Sequence, residues 1–379
     1  TRSVNLSITS PMATRVAIYT DESCTDASLL TELPVSDVAK NIRLDVAKAD
    51  RALYVQYATS KGKEMMNIPL NTASTRAETL VKLPENVSGF DTNGGEGAYR
   101  YQWYPAKGET ATLMMEDNWP EMGDYDFNDF VIWYHAQAIF FDGGNGSKDS
   151  YDADGVEFEI TFRAMGGYLP YRLGLQLDQT SARYIDEVIE INGNDLVKME
   201  LQNPGEDAPA IFIFTGTDQL RKQNNGGTFY NTEADHQIAA NDLVTIKYRL
   251  KMNCFRSLEK TKALWAAATS ENQNFFLQKE KNGGREIHLR GYEPTAYYSD
   301  SYAGEAGNNM RSDIKYCSTD NFVWGIKVPV KLAHPREKTD IMKVYGKFRS
   351  WITNPNLSLD SPDFNENWYK YLDSSQAIE

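Results

Sequence analysis

Cysteine and histidine are scarce, with three and four copies in 379 residues. Cys24, Cys254 and Cys317 lie far apart and make no CxxC pair, which excludes zinc-finger spacing and allows at most one disulfide within the chain. Whether Cys254 and Cys317 pair is left open. His135, His236, His288 and His334 are isolated, with no HExxH, and neither a GxSxG elbow nor a phosphate-binding loop occurs. Metalloprotease, serine-hydrolase and nucleotidase readings therefore have no motif to rest on. No run of eighteen apolar residues occurs, and no charged-then-apolar leader opens the chain at Thr1. The expectation is either a cytoplasmic protein or one whose targeting segment has been removed. Positive charge is short as well: 39 Lys and Arg face 53 Asp and Glu, a formal charge of −14. Nucleic acid and anionic lipid would repel such a chain and are not expected partners.

What is abundant points to β structure. Tyr (22), Phe (16) and Trp (7) are plentiful, and 41% of the residues are hydrophobic, enough for packed cores. The length suggests two domains or three. Short β-branched or aromatic runs at 15–20, 41–46, 52–58 and 64–70, bounded by turn residues, predict a small N-terminal β-sandwich over 1–85. The Gly-, Asn- and Asp-rich stretch 86–98 reads as a linker, with a loop inside one domain as the alternative. Strands resume at 111–115, 130–141, 156–165, 171–178, 210–216 and 243–252, predicting a larger antiparallel β-sandwich, jelly-roll-like, over 99–379. Within it, Val156, Phe158, Ile160 and Phe162 alternate with Glu157, Glu159 and Thr161, as in a strand with one buried face. One helix is predicted near the C-terminus, where Ile341, Val344, Tyr345, Phe348, Trp351 and Ile352 fall at helical spacing.

The most unusual stretch is MMEDNWPEMGDYDFNDFVIWYH, residues 114–135. Glu116, Asp117, Glu121, Asp124, Asp126 and Asp129 crowd into fourteen residues, and no Lys or Arg occurs from Gly108 to Ser147. Six carboxylates repel one another, the more so when buried. Protons, a distant Lys or Arg, or a bound cation could relieve that repulsion. Asp124, Asp126 and Asn128 recur at every second residue, as oxygens do in calcium loops, and a hard cation such as calcium satisfies carboxylate and amide oxygens together. Gly123 would allow a tight entry, and Phe127, Phe130, Val131 and Ile132 would bury beside the loop. An EF-hand does not fit, because Asp129 stands where Gly belongs and His135 where the closing Glu belongs. The alternative is a turn between two strands, supported by Asx hydrogen bonds without a metal.

The segment YPAKGETATLMMEDNWPEMGDYDFNDFVIWYH resembles the signature of the LruC-domain family, E-D-x-W-P-x-x-G-D-x-D-[FY]-N-D followed by a hydrophobic residue. The similarity continues at 162–177, 282–295 and 323–354, so that it spans roughly 99–370 in order. The resemblance implies a secreted or lipid-anchored surface protein of Bacteroides-like bacteria, touching the membrane only through a removed N-terminal lipid anchor. It implies no agreed activity. It also implies a calcium site built from Asp117, Asp124, Asp126, Asn128 and Asp129, with Glu116 a further ligand. The chain departs from the family at Leu289-Arg290-Gly291-Tyr292, where Arg290 replaces a Pro.

Other features are open. Asp142, Asp149, Asp152 and Asp154 could form a second calcium site within 142–157 or simply a solvated loop. His288 beside Glu286 reads first as a structural histidine. Trp103, Trp119, Trp133 and the Tyr297-Tyr298 pair could offer sugar-stacking faces, although aromatics in sandwiches are mostly core. The resulting expectation is a non-catalytic, calcium-stabilised surface protein that binds glycan, host matrix or other surface proteins. The alternatives are a calcium-dependent glycan-processing enzyme with a pair of carboxylates, or a subunit of a surface fibre.

Overall fold

In the computed structural model the described residues are 2–11, 14–35, 37, 39–59, 62–70, 78–87, 99–142, 151–202, 205–279, 284–299, 309–353 and 368–379. Most of the expected linker (88–98) and the centre of the second acidic stretch (143–150) lie outside them.

The chain is mainly antiparallel β, with two stacked-sheet cores. In the N-terminal part a three-stranded sheet, ordered Lys40–Val46, Arg2–Thr9, Glu78–Lys82, faces the strands Leu29–Val35, Thr14–Tyr19, Ala52–Thr59 and Gly62–Pro69. Leu6, Ile8, Leu44 and Val81 from the first meet Val16, Ile18, Leu33, Leu53 and Val55 from the second in one apolar cluster. The larger sandwich packs Glu187–Asn192, Thr245–Lys251, Gly155–Ala164, Phe130–Phe141 and Tyr99–Tyr104 against a five-stranded sheet. That second sheet runs Lys198–Gln202, Pro209–Thr215, Tyr171–Ser181, Gln273–Lys279, Glu286–His288. Phe158, Ile160 and Phe162 meet Leu173, Leu175, Phe212, Phe214 and Phe275 between the two layers. One pair, Thr31 opposite Gln102, carries the hydrogen-bonded sheet from one sandwich into the other.

The alternation at 156–162 holds on its apolar face, but Glu157 does not face solvent. Lys247 and Arg249 on the neighbouring strand cover it; Lys247 Nζ lies 3.0 Å from Glu157 Oε2, and Arg249 Nε donates to Oε1 at 2.8 Å. A long cationic side chain can bury a carboxylate on the outer face of a sheet by laying its stem across it.

The C-terminal helix is two short ones, Ile341–Val344 and Phe348–Thr353. Tyr345 is extended (φ −118°, ψ 93°) and bridges to Leu372, while the Gly346 N–H donates to Tyr371 O. A helical apolar pattern survives the interruption because Ile341, Val344, Phe348 and Ile352 still reach one cluster with Val131, Ala164 and Trp368. The longest helix, Leu258–Ala267, was not anticipated. Its apolar residues lie on a weakly patterned surface, and its identifiable signal is the Ser257 N-cap, which accepts from Lys260 N–H.

All three cysteines are free thiols. Trp103, Trp119 and Trp133 are core residues instead of exposed platforms. No helix among the described residues is long and apolar enough to cross a membrane.

Candidate metal centre

The acidic loop is the connection of an antiparallel pair. Ala111–Met115 leads into it and Phe130–Phe141 leads out, and Met115 pairs directly with Phe130. Both strands are buried on both faces here: Leu113 and Ile132 point into the sandwich core, while Met114 and Val131 point to the C-terminal helices. The loop is thus anchored to the most enclosed edge of the fold. Its backbone curls: Gly123, Tyr125 and Phe127 take positive φ of 62°, 57° and 55°. For Tyr and Phe that conformation costs roughly 1–2 kcal/mol each and persists only where the surroundings hold it. Those surroundings are Phe348 against both rings, Val323 N–H donating to the Tyr125 hydroxyl at 3.3 Å, and Ile341 N–H donating to Tyr125 O at 3.0 Å.

The predicted ligands fall into two groups. Asp124 is exposed and Asp126 is buried, and their carboxylates approach that of Glu337, with one oxygen from each of the three lying within 4.8 Å of the others. Glu337 belongs to the segment HPREKTD (334–340), which folds over the loop so that Lys338 N–H donates to Asp126 Oδ2 at 2.8 Å. Asn128 also braces Asp126, with its backbone N–H on Oδ1 (3.1 Å) and its amide on Oδ2 (2.8 Å).

Glu116, Asp117 and Asp129 form the inner group, all buried. Phe127 N–H donates to Glu116 Oε1, Asp117 N–H to Asp129 Oδ2 (2.8 Å) and Leu169 N–H to Asp117 Oδ2 (3.3 Å). Two oxygens, Glu116 Oε2 and Asn128 Oδ1, are buried and have no hydrogen-bond partner among the described residues. Buried acceptors in native proteins are nearly always satisfied, so two orphans in one loop call for a reason. The consecutive glycines of AMGGY explain how closely the wall approaches. A Cβ on Gly166 would come within 2.0 Å of Asn128 Oδ1, and one on Gly167 within 2.0 Å of Asp117 Oδ2.

Burial and mutual repulsion push Glu116, Asp117, Asp126, Asp129 and Glu337 upward. Burial raises Asp126 to about 8, with Asp124 adding to it, and raises Glu337 to about 7, again with Asp124 adding. Glu116 and Asp129 go well above the usual range, first from burial and then from their acidic neighbours. Two cations fold in: Lys338 beside Glu337 partly offsets the rise there, and Arg221 lies at the inner group. Its Nη1 donates to Gly167 O (2.6 Å) and Leu169 O (2.9 Å), beside Asp117 and Asp129, but it reaches only the inner group.

Sequence reasoning named Asp124, Asp126 and Asn128 and missed Glu337 and Arg221. Glu337 had a signal, since HPREKTD lies inside the stretch 323–354 that resembles the same family. Arg221 had none.

The other candidates separate clearly. Glu286 and His288 are fully buried; His288 Nε2 lies 2.9 Å from Glu286 Oε2 and Nδ1 2.7 Å from Asn274 Oδ1. The imidazole is a satisfied structural group. Asp154 is buried and accepts from Phe141 N–H (2.6 Å) and Cys254 N–H (3.1 Å), which ties the ends of two strands together. Asp152 lies 2.9 Å from Lys251 Nζ, and Asp149 falls outside the described residues.

Comparison with known proteins adds a family. The profile of a domain of unknown function, DUF4842, matches residues 153–369, more than half of the chain. The chain belongs to the DUF4842 family. The acidic loop precedes the matched region, whereas Gly166, Gly167, Arg221 and Glu337, which enclose it, lie within. The solved structure of a candidate lipoprotein from Bacteroides ovatus is similar, with a TM-score of 0.68 and 23% identity over 96% of this chain and 98% of that one. At that identity the similarity shows a shared fold. No curated protein sequence matches the chain.

Proposed function

We propose that this DUF4842 protein is a non-catalytic, LruC-type surface protein, lipid-anchored or secreted, whose larger unit is stiffened by calcium. Two units joined through 86–98 would present their outer loops to glycan, host matrix or other surface proteins. The observation that carries the calcium reading is the pair of buried, unpartnered oxygens in a loop where Asp124, Asp126 and Glu337 converge. Asp124, Asp126 and Glu337 would be the primary ligands, and Asn128 and Glu116 hold the spare oxygens. Asp117 and Asp129, occupied by backbone donors and facing Arg221, brace the loop. The surface location is supported by the shared fold with a candidate lipoprotein.

Thermal unfolding with calcium and with excess chelator tests this. An ion at about a hundred times its dissociation constant contributes about 2.7 kcal/mol, a rise of roughly 3–5 °C for a unit of this size. Asp126→Ala and Glu337→Ala are expected to abolish the response. An equal melting temperature with and without chelator would contradict the reading.

One observation favours the glycan-processing alternative. Asp45 and Glu271 share a cavity between the two sandwiches, Ser3 Oγ lies within hydrogen-bond distance of both carboxylates, and burial raises the Asp45 carboxyl. Release of reducing ends from oligosaccharides, lost in Asp45→Asn, would establish it.

A further inference from the structure

The chain carries a strong negative charge, yet one large cavity is lined by cations. About 850 Å³ opens between the N-terminal sandwich and the larger one, and Arg2, Arg43, Lys48, Arg290 and Lys327 all face it. Two acids, Asp45 and Glu271, lie on the same walls. Arg43 pairs with Glu271, and Asp45 accepts from Ser3 Oγ (2.6 Å) and from Glu271 N–H (2.9 Å), so the acids are held in fixed orientation. Among the lining residues five cations stand against two acids, on a protein of formal charge −14. Tyr292 and Trp351 supply aromatic surface at its sides.

Lys327 sits on the strand Gly325–Val328 and donates to Gln273 O (2.9 Å) and to the Tyr292 hydroxyl (3.3 Å). Burial lowers its ammonium to about 8, while Asp45, Asp178 and Glu271 pull it back toward charge. An incoming anion would do the same. Arg290, the residue that replaces Pro in the Leu-Arg-Gly-Tyr turn, is one of the five cations, and Gly291 beside it takes φ +80° to make that turn.

We infer that this cavity is a binding site for an anionic oligosaccharide, one carrying a carboxylate or a sulfate on its sugar rings. The volume suits a ligand of a few rings at a junction between two units, a common place for such sites. The cations take the anionic group, the aromatic rings take the flat faces of the sugar, and Asp45 and Glu271 accept from hydroxyls. A dense polyphosphate fits less well, since the two acids would repel it. This names a ligand class for the binding role proposed above and is independent of calcium, because the cavity shares none of the loop's ligands.

Calorimetry on the full chain, with calcium present, tests it against tri-galacturonate, a sulfated chondroitin disaccharide, neutral maltotriose and ADP. Binding of either acidic sugar, weakened when NaCl is raised from about 50 to 500 mM, is the expected result, and the arm that binds tells carboxylate from sulfate. Arg290→Gln and Lys48→Gln, both outside the core, should each weaken that binding about fivefold without lowering the melting temperature. No heat from either acidic sugar, equal binding of maltotriose, preference for ADP, or unchanged affinity in both variants would overturn the assignment. A chelator-insensitive melting temperature with intact sugar binding would count against calcium alone.

Discussion

Glu286 and Glu116 are both fully buried glutamates in the same sandwich, and they have opposite surroundings. Glu286 meets His288 at 2.9 Å, Thr295 Oγ1 at 2.6 Å and Thr295 N–H at 2.8 Å. Burial alone would raise its carboxyl, but His288 and these donors hold it below the usual range. Glu116 has one backbone donor, one oxygen with no partner, and Asp126 and Asp129 as neighbours, so it goes well above that range. One site has its compensating groups built in. The other has acids that the described residues leave incompletely paired, the feature on which the proposed calcium site rests. Acidic composition does not mark a metal site; what marks it is acid that the fold has buried and left incompletely paired.

That contrast can be broken at several strengths. The largest effect is expected at the self-sufficient pair: His288→Ala should cost about 3–5 kcal/mol in urea unfolding, with or without calcium. A loss below about 1 kcal/mol would show that Glu286 is satisfied without the imidazole. Next is Gly167→Ala, whose methyl meets the Asp117 carboxylate. Overpacking of this kind costs about 1–3 kcal/mol, and here it should also weaken calcium binding. Normal stability and calcium response would mean that the Asp117 side chain moves aside freely.

Asp154 lies between the two extremes, with two backbone donors and no cation paired with it among the described residues. Burial raises it to about 7, above its value in the unfolded chain, so the folded protein binds the extra proton. Its contribution is therefore complete below pH ~4 and lost as pH rises through ~7. Urea midpoints of the wild type should fall relative to Asp154→Asn between those limits; parallel pH profiles would contradict this. The smallest effect is expected at Glu157, where Arg249 remains after Lys247→Ala. That substitution should change stability by less than about 1 kcal/mol, and a larger loss would make the strand pair a true buried ion pair.

Much of the architecture was legible because strand period and burial agree. Ala111–Met115 and Phe130–Phe141 follow their apolar runs to the residue. What periodicity could not show was where the chain interrupts itself. The bridge from Tyr345 to Leu372 splits a helical pattern without disturbing its apolar face, so spacing alone reads as one helix. Arg2–Thr9 and Glu78–Lys82, strands of the small sheet, were not recognised, since polar residues interrupt both. In the candidate metal centre, local spacing exposed Asp124, Asp126 and Asn128, which lie within five residues. Glu337 arrives from about two hundred residues away, and only tertiary folding places it there.

The most direct measurement is calcium bound per chain, by elemental analysis after chelation, reloading and dialysis of the wild type and Glu337→Gln. The account predicts one calcium per wild-type chain and a clear loss in the variant, with both proteins folded. A wild type that retains no calcium would mean that the buried carboxyls of the loop are neutralised by protons, and the central claim would fail.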